Sequence, residues 1–132
     1  MRCLSIARAL KKRGAAVAFL VSDDTSASIL QKMYSPDEIA DHSFPILELR
    51  TDYRSLDLEI QTMQGILSSH NVACLLVDSY FATPEYLDIL RQICKVAYLD
   101  DLQAFDCPAS LVINYDFCVE ESFYTKADCV LT

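Results

Sequence analysis

The chain has 132 residues and a formal net charge of −8, from 11 basic and 19 acidic side chains. A charge of this sign repels a phosphate backbone, so we expect no nucleic-acid partner. The longest purely apolar runs, such as 15–21, stop well short of the ~20 residues that span a bilayer, so we expect no membrane partner either. A length of this order fits one domain, 1–132.

Six cysteines and two histidines are the candidate metal ligands and redox groups. The chain holds no Cys-x-x-Cys pair, and Cys74 and Cys94 lie inside apolar segments, where a thiol behaves as a small hydrophobe. We therefore predict reduced thiols and a cytoplasmic location. Since neither His42 nor His70 stands near a cysteine at ligand spacing, we predict no metal site and no cofactor.

The first segments alternate between helix and strand patterns. Apolar residues at helical spacing predict a helix over 3–13 that ends in the basic cluster 11–13, with Gly14 just beyond its end. The run 15–21 predicts a buried strand. The cations of the cluster favour the dipole at the helix end, so the cluster needs no nucleic acid to explain it.

Capping signals divide the next part of the chain. Residues 22–24 are capping side chains for a helix, and Ser35-Pro36-Asp37-Glu38 fits a capping box that begins a second short helix. A short strand is predicted at 45–49, and a long helix begins at Ser55. His70, near the end of this helix, is interpreted as structural because the helix dipole alone explains a histidine there.

The stretch 72–80 is the axis of the predicted fold. An apolar run, 72–77, ends in Asp78, Ser79 and Tyr80, and such a run predicts a strand buried on both faces of a parallel sheet. Ligands of open parallel sheets bind outside the carboxyl ends of the strands. We therefore expect these polar side chains at a binding cleft.

The carboxy-terminal part repeats the pattern. Thr83-Pro84-Glu85 is a helix start, the strand at 95–99 ends in Asp100-Asp101, and the strand at 110–113 ends at Asn114. A loop at 117–126 and a strand at 129–132 complete the series. Alternating strands and helices predict an α/β fold with a mostly parallel sheet, in a Rossmann-like three-layer sandwich.

Several short stretches stand in one order: Met1-Arg2-Cys3-Leu4-Ser5-Ile6-Ala7, Arg13-Gly14-Ala15, Leu76-Val77-Asp78-Ser79-Tyr80, Tyr98-Leu99-Asp100-Asp101-Leu102 and Asn114. In this order and spacing they resemble the amino-terminal half of the UDP-sugar hydrolases of pseudaminic acid synthesis and of their spore-coat polysaccharide relatives. These enzymes are similar to inverting glycosyltransferases with two Rossmann domains, but they hydrolyse the bond between a nucleotide diphosphate and an amino-sugar. The resemblance covers nearly the whole chain.

The resemblance implies a nucleotide-sugar substrate for the complete enzyme. In the family, a first strand and a Gly-x-Gly-His loop precede the first matching stretch, the loop histidine is the expected base for water, and a second domain holds most of the uridine diphosphate. This sequence contains no counterpart of the histidine loop or of the second domain. We therefore expect a fragment that is inactive alone, without catalytic residues of its own. Its expected substrate-lining residues are Arg2, Asp78, Ser79, Tyr80, Asp100, Asp101 and Asn114.

The expected loss of the first strand has a consequence for the sheet. In doubly wound sheets that strand lies between those predicted here at 15–21 and 72–77. Its absence would leave unpaired backbone groups in the core. We therefore predict either direct pairing of 15–21 with 72–77 or a partner chain that supplies the strand, which makes a homodimer a candidate state.

Other interpretations of the acidic residues stay open. Asp78 fits either a ligand for a sugar hydroxyl or a cap of the next helix, and Asp100-Asp101 suggests a backbone-bonding turn more than a magnesium site. One alternative function is the acceptor domain of a glycosyltransferase. Another is a non-catalytic interaction domain such as a receiver-like module, although such modules need a lysine after a late strand, where this chain has Asp100 and Asn114.

Overall fold

The computed structural model describes residues 2–116 and 118–132. The chain divides into two compact units, Met1–Tyr53 and Arg54–Thr132, called here the amino-terminal and carboxy-terminal units. The prediction of a single domain over 1–132 stays a prediction. No helix among the described residues is both long enough and apolar enough to cross a membrane.

The amino-terminal unit contains α1 (Arg2–Lys12), β1 (Phe19–Val21), α2 (Asp24–Gln31), α3 (Pro36–Ala40) and β2 (Ile46–Glu48). The predicted caps are confirmed. The Asp23 carboxylate accepts a hydrogen bond from the Ser26 N–H, and Ser35 with Glu38 forms the capping box of α3. Gly14 follows α1 at a φ of 87°, the left-handed conformation that ends helices and favours glycine.

A two-stranded parallel sheet joins β1 to β2. The strand predicted over 15–21 is confirmed only at 19–21, because the residues opposite β2 are the ones whose backbone groups find ladder partners. The hydrophobic core of the amino-terminal unit packs the buried Leu4, Ala7 and Phe44 against Phe19 and Tyr34. The unit is therefore held by an aromatic cluster beside a short sheet.

The carboxy-terminal unit begins with a 3₁₀ helix, Leu56–Glu59, that continues directly into α4, so the long helix predicted from Ser55 has two parts. The elements that follow are β3 (Cys74–Val77), α5 (Pro84–Arg91), β4 (Lys95–Leu99), β5 (Leu111–Ile113), a second 3₁₀ helix (Glu121–Phe123) and β6 (Val130–Leu131), with α4 itself at Ile60–Ser69. Thr83 caps α5 through the Tyr86 N–H, as its sequence predicted. Phe117, in the predicted loop 117–126, lies outside the described residues.

The four strands of this unit form a parallel sheet in the order β3-β4-β5-β6. Together with the β1–β2 sheet and the intervening helices, this confirms the predicted α/β fold class with parallel sheets. The core strand is β4, whose residues Val96 to Leu99 are all buried. Leu87 and Leu90 of α5 are fully buried, and α5 packs on β4.

The prediction that 72–77 is buried on both faces is wrong. Cys74 is exposed, Leu75 and Leu76 are half-buried, and only Val77 is buried. The physical reason is position: in the described part of the chain, β3 is the edge strand of its sheet and has a neighbouring strand, β4, on one side only. For the same reason Cys74 is exposed instead of packing as a small hydrophobe, whereas Cys107 is the buried thiol.

Direct pairing of 15–21 with 72–77 is also not formed. Within the described residues, β1 pairs with β2 and β3 pairs with β4, in separate sheets. Each segment pairs with the next strand along the chain. The other half of that prediction, a strand supplied by a partner chain, stays a prediction.

Candidate ligand-binding edge of the four-stranded sheet

Three of the parallel strands deliver polar residues to one edge of the sheet. Asp78 follows β3, Asp100 follows β4 and Asn114 follows β5. Because parallel strands run in one direction, the loops after them meet at the same edge, called here the carboxyl edge. Six of the predicted substrate-lining residues therefore come together there.

Tyr80 and Asp101 join the loops after β3 and β4. The Tyr80 hydroxyl donates a hydrogen bond of 3.1 Å to Asp101 Oδ2, and the tyrosine side chain is 62% exposed. The Phe81 N–H donates to Ser79 Oγ within the same loop. A phenol, a carboxylate and a hydroxyl are thus presented at the solvent-facing rim of the edge.

Tyr98 lies buried beneath this rim, where its hydroxyl donates to the Ser79 backbone oxygen at 3.2 Å. Burial raises the pKa of the Tyr98 phenol, and the charges of Asp100, Asp101 and Asp78 raise it further. All three carboxylates therefore lie close enough to act on one phenol. Tyr98 belongs to a stretch that carries the resemblance, but it is not among the predicted substrate-lining residues, since its position inside a strand predicts a core residue.

Asp100 is only 3% exposed and binds backbone and side-chain donors of its own unit. Its Oδ1 accepts from the Leu102 and Gln103 N–H groups at 3.0 and 3.1 Å. This geometry confirms the interpretation as a backbone-bonding turn for Asp100. Asp100 thereby fixes the loop on which Asp101 stands.

A chain of buried hydrogen bonds links Asn114 to Asp100. Asn114 Nδ2 donates to the Tyr124 hydroxyl at 2.9 Å, and that hydroxyl donates to Asp100 Oδ2 at 2.8 Å. Asn114 Oδ1 accepts from the Asp116 N–H. Burial raises the pKa of Tyr124 to about 12, with the Asp100 charge adding to the rise. These contacts give Asp100 and Asn114 a supporting role, and their contact with substrate stays a prediction.

Cys107 closes this buried network. Its thiol lies 3.7 Å from Asp100 Oδ2 and 3.3 Å from the Phe105 carbonyl oxygen. Burial raises the pKa of the thiol, and the Asp100 charge raises it further. A protonated thiol is a poor nucleophile, so Cys107 acts as a weak hydrogen-bond donor in the core.

The remaining predicted residue, Arg2, belongs to the other unit. It is the first residue of α1. Asp78, Ser79, Tyr80, Asp100, Asp101 and Asn114 all lie in the carboxy-terminal unit. That Arg2 lies beside these six residues stays a prediction.

A cleft of about 380 Å³ adjoins the loop after β3. The first 3₁₀ helix forms one wall, and Phe81 and Thr83 belong to that loop; the other lining residues are Arg54, Ser55, Leu56, Asp57 and Leu58. Since α4 leads back to the start of β3, its amino-terminal end lies at the carboxyl edge. Sequence reasoning missed this cleft because none of its residues forms a motif, although the polar run before the helix was a signal.

A buried pair supports the wall of the cleft. The Tyr86 hydroxyl of α5 donates a 2.6 Å hydrogen bond to Glu59 Oε1, and both side chains are buried. Burial raises the pKa of Tyr86, and the bond to Glu59 raises it further. The pair fastens the 3₁₀ helix to α5.

Exposed apolar side chains surround the polar groups of this edge. Tyr80, Phe81, Leu102 and Tyr115 follow the three strands, and Leu58 is 75% exposed on the 3₁₀ helix. Aromatic rings beside carboxylates and hydroxyls are the usual lining of sites that bind rings bearing hydroxyl groups, because one face packs while the rim is hydrogen-bonded.

Neither histidine chemistry nor a metal site is found among the described residues of the carboxyl edge. His70 caps the far end of α4, with Nδ1 3.0 Å from the Ile66 carbonyl oxygen, which confirms its structural interpretation. In the described part of the chain, no group of three His, Cys, Asp or Glu side chains is placed to hold a metal ion.

Comparison with family models and with curated proteins gives no match to this chain.

Proposed function

We propose that the carboxyl edge of the four-stranded sheet binds the sugar of a UDP-amino-sugar, as the sugar-binding part of a nucleotide-sugar hydrolase. The observation that carries the proposal is the Tyr80–Asp101 hydrogen bond, which joins two loops at the rim beside the exposed Asp78. The resemblance to the UDP-sugar hydrolases, carried by Asp78-Ser79-Tyr80 and Asp100-Asp101, supports the same substrate class.

Each rim group has a distinct task in this proposal. Asp78 and Asp101 accept hydrogen bonds from sugar hydroxyl or amide groups, and Tyr80 packs its ring on the sugar while its hydroxyl orients Asp101. The cleft beside Phe81 admits the rest of the ligand, with Arg54 as a cationic partner for phosphate oxygens. We assign binding and positioning to these residues, and no catalytic base.

The test is binding of UDP-N-acetylglucosamine, as an available UDP-amino-sugar, to the isotope-labelled chain, followed by nuclear magnetic resonance. We expect the amide signals of 78–81 and 101–103 to move most. Removing one hydrogen-bonding group costs roughly 1 kcal/mol, so Tyr80→Phe and Asp78→Asn should each weaken binding about fivefold. UDP alone should move the signals of 54–58 and leave those of 101–103 in place.

Matched variants control for general effects. Tyr53→Phe removes the hydroxyl of another exposed tyrosine, in the amino-terminal unit, and Asp88→Asn neutralises an exposed acid on α5. Both should bind the nucleotide-sugar as the unaltered chain does. Equal weakening by the controls, or signal changes confined to other parts of the sheet, would remove the sugar site from this edge.

A further inference from the structure

The outer edge of β3 is a row of backbone groups that the sheet does not use. Residues Cys74–Val77 pair with β4 in the register Cys74↔Lys95, and Ala73 accepts from the Lys95 N–H at 3.3 Å. In a parallel ladder, alternate residues direct both backbone groups to the same neighbour. Ala73, Leu75 and Val77 thus face β4, and Cys74 and Leu76 direct their N–H and C=O groups to the other side.

This edge lacks the features that keep strand edges apart. Its four residues, Cys-Leu-Leu-Val, carry no charge and no proline. The other edges differ: β6 has two residues, and β1 and β2 have three each, with Glu48 ending β2. A short or charged edge pairs poorly with another strand. Among these edge strands, β3 is the one best suited to pair with an added strand.

We propose that β3 pairs with β3 of a second copy of this chain, antiparallel about a two-fold axis at Leu75. In this register Cys74 and Leu76 of one copy exchange backbone hydrogen bonds with Leu76 and Cys74 of the other. The two Leu75 residues then lie directly opposite each other as a pair without mutual hydrogen bonds. The two sheets become one continuous eight-stranded sheet, and an isologous interface of this kind closes as a dimer.

Charge favours a second copy at this edge in spite of the net charge of −8. Because β3 is free of charged residues, every cross-strand pair within it is apolar, and no like charges face each other. The antiparallel direction also keeps the acids after β3 apart, since Asp78 of each copy lies beside Val72 of the other. A parallel partner would bring the two Asp78 residues together.

Light scattering on the eluting chain tests the state directly. We expect a mass about twice 14.9 kDa that falls toward the single-chain value on dilution. Leu76→Pro removes an N–H that points away from β4, so it should give the single-chain mass while circular dichroism stays that of the parent. A single-chain mass for the parent at every concentration would overturn the proposal.

Cysteine cross-linking tests the register. In a Cys74→Ser background, Leu75→Cys places two thiols opposite each other at a Cα separation of roughly 4.5 Å, within the range of a disulfide. Leu76→Cys in the same background is the matched control, because its two thiols lie on a diagonal that is too long. We expect a linked dimer from the first variant at least tenfold faster than from the second. Equal rates would mean random collision and would overturn the paired edge.

Discussion

Tyr124 is the residue that connects the buried polar groups below the carboxyl edge. Its hydroxyl accepts from Asn114 and donates to Asp100, so Tyr124→Phe deprives two buried groups of a partner. A buried polar group that loses its partner costs about 1–3 kcal/mol. We expect Tyr124→Phe to lower the free energy of unfolding by an amount in this range, measured by urea denaturation.

Tyr115→Phe is the control for this prediction, since Tyr115 is exposed after β5 and surface substitutions change stability by only about 0.5 kcal/mol. A loss of stability as large for Tyr115→Phe as for Tyr124→Phe would contradict the importance of the buried chain. The sequence located Asp100 and Asn114 by strand ends, but the hydrogen bonds that link them pass through Tyr124, ten residues beyond Asn114. Strand periodicity contains no information on such a distant partner.

Helices α1 and α3 are joined by the ion pair between Arg8 and Glu38, with Nε to Oε1 at 2.6 Å and Nη2 to Oε2 at 2.8 Å. These hydrogen bonds, together with that from the Ser35 N–H, lower the pKa of Glu38 from 4.5 to about 2. Because the folded state has the lower pKa, the contribution to stability is present above pH 4.5 and disappears as the pH falls through about 2.

The variant Glu38→Gln tests this pH dependence of stability. We expect it to be less stable than the parent at neutral pH, and the difference in melting temperature to shrink as the pH falls from about 4.5 to about 2. Asp37→Asn removes a neighbouring charge of the same first turn and leaves the ion pair in place, so it separates the pair from the helix dipole. A difference that stays constant with pH would show that the ion pair is not its cause.

Local signals predicted the elements well because their causes are local. The capping box at Ser35, the proline after Thr83 and the glycine after α1 each act within one turn of chain, and the structure has a helix boundary at each. The strand at 95–99 was predicted to the residue. Errors arose where a boundary depends on a neighbour, as at 15–21, where only the part opposite β2 is a strand.

At the scale of the molecule, the sequence pattern led to a wrong prediction of which strand is central in the sheet. The runs 72–77 and 95–99 are both apolar, and composition alone cannot order them in a sheet. The order β3-β4-β5-β6 puts β4 inside and leaves β3 at the edge. The same topology explains the candidate site: the polar strand ends were predicted, whereas the cleft beside the first 3₁₀ helix depends on how α4 is placed.

The division into two compact units predicts where a protease first cuts the chain. The segment 49–55 between β2 and the first 3₁₀ helix has no helix or strand, and Arg50 and Arg54 within it are exposed. Proteases cleave segments that open locally at little cost in free energy.

We therefore expect brief trypsin treatment to cut first after Arg50 or Arg54 and to leave two fragments that resist further digestion, identified by mass spectrometry. Replacing both arginines with glutamine should slow this first cut and leave the later ones unchanged. Each fragment retains its own parallel sheet and its own buried core, which is the reason to expect both to persist. Immediate loss of either fragment would mean that its unit depends on the other for stability, whereas survival of both would mean that the folding information for each sheet lies within its own half of the sequence.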